Sequence, residues 1–244
     1  ADNLAAVIIE PLPANYGLLI QRQEFLLELQ ALCKKHGVLL IFDEVISGFR
    51  TAFGGMVEVT GIHPDLVTYG KVIGGGFPVG CYGGRADLMN MVAPSGDVYQ
   101  AGTLSANPVG MKAGLKTLQK MKSIDGWNTL NARTTHFVEK LQKGFHEMSA
   151  PVQITQHSSL FWIHGLVDQP IRSVTGIPIG QSENFKKLFL KCLEKGIYLA
   201  PNAYEVGFNN LSYFSKCYRE QFGHAPNLTQ ASVAECDVTM PVLS

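Results

Sequence analysis

Two residues in the first third of the chain are awkward to explain as ordinary surface. Asp43 ends the apolar run VLLIF at 38–42, with Glu44 behind it, and Lys71 follows a second apolar run at 66–69. Lys71 stands between Gly70 and a stretch closing on Gly74, Gly75 and Gly76. Short apolar runs of this kind read as buried strands of an α/β sheet, and open α/β sheets bind ligands at the carboxyl ends of their strands. Aspartate is rarely buried unless paired. A carboxylate and an amine brought to one such edge suit pyridoxal phosphate, which takes a lysine amine at its aldehyde and an acidic partner at its pyridinium nitrogen. Nucleotide motifs fit less well. G-x-x-x-x-G-K-[ST] needs glycine at 65 and a hydroxyl residue at 72, where Asp65 and Val72 stand. G-x-G-x-x-G anchored on Gly74 and Gly76 needs glycine at 79, where Val79 stands. Lys71 is therefore expected in a desolvated, apolar setting, where an amine is activated as a nucleophile.

The surrounding elements must deliver these groups. Residues 5–10 read as a buried strand stopped by Pro11, which brings Glu10 and Asn15 out on the same carboxyl edge. The run EPLPANYG reads equally well as a plain turn. Residues 22–36 form the clearest helix: Phe25, Leu26, Leu29, Leu32 and Cys33 share one face. Glu24 and Glu28 come early and Lys34, Lys35 and His36 late, complementing the helix dipole, and Gly37 is a natural stop. Residues 98–108 read as a loop. A helix follows to about residue 122, capped by Ser105 or Asn107, with Met111, Leu115, Leu118 and Met121 as its apolar side. Beyond residue 123, helices are expected at 130–148 and at 184–195 before Gly196, with a strand at 159–164.

The chain has 244 residues, 46% of them hydrophobic and 16% charged, enough for one large core or for a large and a small domain. Twenty basic and twenty acidic residues leave no basic footprint for nucleic acid or an anionic membrane. Five scattered cysteines without C-x-x-C argue for reduced thiols in a cytoplasmic protein, and seven histidines without H-E-x-x-H give no zinc pattern. No apolar run approaches the roughly 18 residues of a membrane span. The first residue is not methionine and a strand follows almost at once, so the start reads as a cut end.

Three longer motifs, FDEV-x-x-GFR, GK-x-IGGG-x-PVG-x-YGGR and VYQAGT-x-S-x-NP, resemble the class III (ω-type) pyridoxal-phosphate aminotransferases. Among these they are most similar to the aminomutases that act on glutamate-1-semialdehyde. The resemblance covers about residues 5–208. It implies an α/β, fold-type-I transferase, with the second half of the large domain at 1–122, a small α+β domain at 123–208 and a non-family tail at 209–244. It also implies pyridoxal 5′-phosphate or pyridoxamine 5′-phosphate as cofactor and a small amino-aldehyde as substrate. The reaction implied is an intramolecular amino transfer to 5-aminolevulinate for tetrapyrrole synthesis, in a homodimer with shared active sites.

By the same resemblance, Lys71 bonds the cofactor and shuttles protons, and Asp43 keeps the ring nitrogen protonated. Val45 packs on the ring face, Asn15 lies against the ring hydroxyl, Thr103 binds the neighbouring subunit's cofactor phosphate, and Glu205 reaches back towards the substrate. On residue type alone, Thr103 reads as a turn threonine and Glu205 as a solvated side chain. An ordinary aminotransferase for ω-amino donors is the alternative enzyme. Those carry G-[FY]-G-R-T-G after D-E, where this chain has GFRTAFGG. Residues 203–226 also resemble the second helix-turn-helix of AraC-type regulators, with Leu211, Phe214, Cys217, Tyr218 and Phe222 at helical spacing. Lys216 and Arg219 are a thin basic footprint, so DNA binding is not expected.

Overall fold

Four short strands form the sheet that carries the functional edge in a computed structural model, which describes residues 3–199. Strands β1 (Ala6–Ile9), β2 (Leu39–Glu44) and β3 (Leu66–Tyr69) run parallel, and β4 (Cys81–Gly84) returns antiparallel to β3. Their spatial order is β1-β2-β3-β4. The expected strand at 38–42 extends to Glu44, so both acids belong to the sheet. β4 escapes a pattern search because Cys-Tyr-Gly-Gly lacks an apolar run and is half glycine.

β2 alternates cleanly: Leu40, Phe42 and Glu44 are buried, while Leu39, Ile41 and Asp43 are partly exposed. Helix α1 (Gln23–Lys35) belongs with the buried face, where Leu26 and Cys33 join Val38, Leu40, Phe42, Ile62 and Val67 in one core. Leu29 packs against that core, but Phe25 and Leu32 are 43% and 54% exposed. At about 100° per residue they fall on the flank of the stripe made by Leu26, Leu29 and Cys33. Helix α2 (Gly55–Thr60) follows the loop after β2, and α3 (Ala86–Met89) is a single turn after β4.

Helix α4 (Pro108–Ser123) starts where expected. The Asn107 side chain accepts from the Gly110 N–H at 2.8 Å, and Pro108 occupies the first helical position. Its packed side differs in part from expectation. Gly110 and Gly114 are buried and Leu118 and Met121 are partly buried as expected, whereas Met111 and Leu115 are exposed. A Cβ on Gly75 would lie 2.7 Å from the Ala113 carbonyl oxygen, and one on Gly114 would overlap the Ile73 carbonyl oxygen. Backbone therefore packs on backbone between α4 and the 3₁₀ turn Lys71–Gly74, and small residues beat large apolar ones at that contact.

Helix α5 (Gly126–Glu147) begins four residues before its expected start at 130, and strands β5 (Val152–His157) and β6 (Leu160–Gly165) form an antiparallel hairpin. Trp162 of β6 shares a second core with Leu12, Leu18, Leu19, Met56 and Ile171. Contacts also join residues on both sides of 122, and by contact density the chain falls into the units Ala1–Ile179 and Gly180–Ser244. The second unit contains α6 (Gln181–Glu194), whose Phe185 and Phe189 pack with Leu188, Leu190, Leu193 and Leu199. Gly196, at φ 76°, follows that helix as expected. Glu205 and the AraC-like residues 203–226 lie outside the described residues, as does the tail 209–244. No helix among the described residues is long and apolar enough to cross a membrane.

His164 in β6 is buried and bonded at both ring nitrogens: to the Gly165 carbonyl at 2.8 Å and to the Thr155 hydroxyl at 2.8 Å. A neutral ring satisfies both, with Nδ1–H donating to the carbonyl and Nε2 accepting from the hydroxyl. Burial lowers the pKa of His164, and of His157 likewise. A histidine held below its unfolded value of about 6.5 contributes stability that is present above that pH and lost as pH falls towards the folded value. The urea-midpoint advantage of wild type over His164→Gln should therefore shrink as pH is lowered from 7 to 5.5, a difference from which the opposite contribution of other groups cancels. An advantage that is constant or grows as pH falls over this interval contradicts the assignment.

Candidate active site

Parallel pairing brings β2 and β3 to the same level, with Asp43 opposite Thr68 and Glu44 opposite Tyr69. Asp43 is half-buried. Its Oδ1 accepts from the Val45 N–H at 3.0 Å and from the Thr68 hydroxyl at 3.3 Å. Its Oδ2 makes no hydrogen bond among the described residues. Three residues past Thr68, Lys71 opens the 3₁₀ turn with φ 47°. A side-chain-bearing residue in that left-handed region costs about 1–3 kcal/mol and persists only where the surroundings fix it. The close packing of α4 on Ile73 and Gly75 does so here. Val45 completes the group, since a Cβ on Gly70 would lie 3.3 Å from its Cγ1. Asp43, Val45 and the backbone leading into Lys71 thus form one neighbourhood.

The desolvated setting expected for Lys71 is absent. Lys71 is exposed and makes no hydrogen bond or ion pair among the described residues. Glycines 70 and 76 flank its turn and bring no side chain to cover it. Asn15 is exposed in the segment after β1, whose buried anchors are Leu12, Leu18 and Leu19. Thr103 is exposed on the turn ahead of α4. Neither Asn15 nor Thr103 hydrogen-bonds to Asp43 or Lys71 among the described residues.

Residue-type reasoning missed Glu44, the fully buried carboxyl beside Asp43. Its Oε2 accepts from the Met56 N–H at 2.7 Å and the Ser47 hydroxyl at 3.1 Å, and its Oε1 from the Val57 N–H at 3.3 Å. It therefore caps α2 from twelve residues upstream and folds the loop 45–54 back over the strand ends. Gly55, at φ 62°, leaves no room for a Cβ against that carboxylate. Gly48 lets the Tyr69 ring approach, since a Cβ there would lie 2.5 Å from it. Phe49, at φ 55°, packs its ring 5.3 Å from that of Tyr69. The carbonyls of Phe49, Arg50 and Thr51 then accept from Trp127 Nε1 (3.0 Å), Ser159 Oγ (3.4 Å) and Ser158 Oγ (2.8 Å). The sequence signal was a second acid at the strand end followed by a single glycine at 48 and a glycine pair at 54–55, each needed for a close approach.

Burial raises the Glu44 pKa, and its three hydrogen bonds oppose the rise without cancelling it. A carboxyl raised in the fold contributes stability that is complete below its unfolded value of about 4.3 and is lost as pH climbs through the folded value. Glutamine offers one acceptor oxygen, so Glu44→Gln leaves a buried N–H unsatisfied, at about 1–3 kcal/mol. Denaturation of both proteins between pH 4 and 7 should show a wild-type advantage that shrinks as pH rises. An advantage that grows with pH contradicts the buried-carboxyl account.

With this geometry in hand, the chain belongs to the class-III aminotransferases: the family "Aminotransferase class-III" matches residues 1–206. It is 68% identical over 211 residues to the glutamate-1-semialdehyde 2,1-aminomutase of Bdellovibrio bacteriovorus, covering 86% of this chain and 50% of that enzyme. An omega-transaminase from Sphaerobacter thermophilus superposes with a TM-score of 0.72 at 38% identity, over 82% of this chain and 46% of that one. A transaminase with PLP bound superposes with a TM-score of 0.69 at 28% identity, over 81% of this chain and 46% of that one. The chain spans about half the length of the curated relatives it matches.

Proposed function

We propose that this chain carries the lysine-bearing part of a pyridoxal-phosphate aminomutase that converts glutamate-1-semialdehyde into 5-aminolevulinate by intramolecular amino transfer. The observation that carries this reading is the register that sets Asp43 against Thr68, three residues before Lys71. The donor set fits the cofactor: an open carboxylate oxygen for a pyridinium nitrogen, a free primary amine for an aldehyde, and a branched apolar side chain beside them. Once bound, pyridoxal phosphate supplies an electron sink for proton removal next to an amine. Asp43 Oδ2 would hold the proton on the ring nitrogen while Thr68 and the Val45 N–H fix Oδ1. Val45 would pack on the ring face, and Asn15 would orient its hydroxyl. The Lys71 amine would take a proton from one substrate carbon and return it to the neighbouring one, a general acid–base role. Glu205 is assigned to the substrate side.

The exposed Thr103 supports a homodimer in which this residue serves the neighbouring subunit's cofactor phosphate across a two-fold interface. We place the enzyme in the cytoplasm on its reduced-thiol composition, with residues 123–208 as the smaller domain of the family.

The direct test is chemical trapping. The full chain is incubated with pyridoxal 5′-phosphate, reduced with borohydride and mapped by peptide mass. Label on Lys71, and none on that peptide in Lys71→Ala, is the expected result. Asp43→Asn should weaken cofactor binding before reduction by about 1.5–3 kcal/mol, the range for a hydrogen bond to a charged group. Label on a different lysine, or no label at all, contradicts the proposal.

A further inference from the structure

Among the described residues, the sheet β1-β2-β3-β4 is packed on one face and meets water on the other. Val7, Ile9, Leu40, Phe42 and Val67 point to the face that carries α1. The register sets their neighbours in rows on the opposite face, with Ile8 beside Ile41 and Leu66, and Asp43 beside Thr68 and Tyr82. Ile8 is 61% exposed and Tyr82 41%, while Ile41 and Leu66 are partly exposed. An open apolar row is unusual here, because sheets of parallel strands occur almost only with both faces covered.

The outer edge of β1 is open as well. Among the described residues β1 pairs with β2 alone and ends the strand order. The Leu39 N–H donates to the Ala5 carbonyl at 3.0 Å. Backbone groups alternate in direction along a strand, so Val7 and Ile9 also turn towards β2. The N–H and C=O groups of Ala6 and Ile8 therefore point away from it. A free edge beside an exposed apolar row marks a place where further chain packs. One element can fill both openings, since a strand added parallel to β1 needs a crossover helix, and such a helix lies on a face of the sheet. A second copy of this chain does not offer its α1 for that purpose, because the apolar side of that helix is occupied in its own core. The relatives have chain enough: this sequence accounts for 50% of the Bdellovibrio bacteriovorus enzyme, and the other half of that polypeptide is unmatched.

We propose that the β1 edge and the Ile8–Ile41–Leu66 row are a docking surface for the half of a class-III aminotransferase polypeptide that this chain does not match. That half adds a strand beside β1 and lays an apolar helix on the open face. The inference rests on the fold and the family rather than on the amino-transfer chemistry, so assembly is read without cofactor. The probe is the unmatched half of the Bdellovibrio bacteriovorus enzyme, produced together with the full chain of 244 residues. Native mass spectrometry should find a one-to-one complex, and in it the Ala6 and Ile8 amides should exchange hydrogen much more slowly than in the chain alone. Ile8→Asp should weaken the complex about tenfold or more, the scale set by burying one isoleucine. Because Ile8 is exposed, the urea midpoint of the chain alone should not change in that variant. Met148→Asp, at an apolar residue 70% exposed and outside the sheet, should leave the complex as it is. Absence of a one-to-one complex, or equal effects of Ile8→Asp and Met148→Asp, would overturn the proposal. So would slow Ala6 and Ile8 amides in the chain alone: in a monomer they would assign the edge to residues 200–244, and in a homodimer to a second copy.

Discussion

The buried carboxyl of Glu44 is the constraint on which the rest of the site depends. A strand exposes successive side chains to opposite faces, so drawing Glu44 inward against the N–H groups of Met56 and Val57 forces Asp43 outward beside Thr68. A one-residue slip of β2 would exchange the two acids and place Asp43 in the core. The same carboxyl closes the loop 45–54 on itself through Ser47, bringing Gly48 under Tyr69 and Val45 against Gly70. One side chain that touches no reacting group thereby sets the positions of those proposed to do so.

A second packing arrangement sets the lysine. Ile73, Gly75 and Gly114 meet backbone to backbone, and this contact holds the turn that begins at Lys71 in a left-handed conformation. Among the glycines near the lysine, Gly75 is therefore a packing surface for α4, whereas a Cβ on Gly76 would meet open space. The C-terminal elements of the first unit belong to the same arrangement. Trp127, Ser158 and Ser159 reach back to grip the loop that leads away from Asp43. The aromatic series Tyr69, Phe49, Phe53 and Trp127, with neighbouring rings 5.3–5.8 Å apart, fills the space between the strand end and α5.

Much of this was legible from the residues. The apolar runs at 5–10, 38–42 and 66–69 became three parallel strands, and the Asn107–Pro108 pair marked a helix start because its chemistry is local. What stayed hidden was set at long range. Glu44 looked like the companion of Asp43, because only its partners twelve and thirteen residues away distinguish a structural acid from a functional one. The packed side of α4 was only half legible, at Leu118 and Met121, because hydrophobic spacing weighs side-chain size, whereas the contact at Gly110 and Gly114 selects for the absence of side chains. The exposure of Lys71 could not be read from apolar neighbours in sequence, since those neighbours face the core while the turn lifts the lysine away from it. The hairpin grip on residues 49–51 runs through hydroxyl and indole groups that carry no periodic signal.

Amide hydrogen exchange tests the central role of Glu44 most directly, because it reads the loop residue by residue. In the wild-type chain the amides of Gly48, Thr51, Met56 and Val57 should be protected, consistent with their bonded positions. In Glu44→Ala those amides should exchange much faster, together with that of Val45, while the β1–β2 ladder amides keep their protection. Unchanged protection across residues 45–57 in that variant would show that the loop holds its shape without Glu44 and would contradict this account of the site.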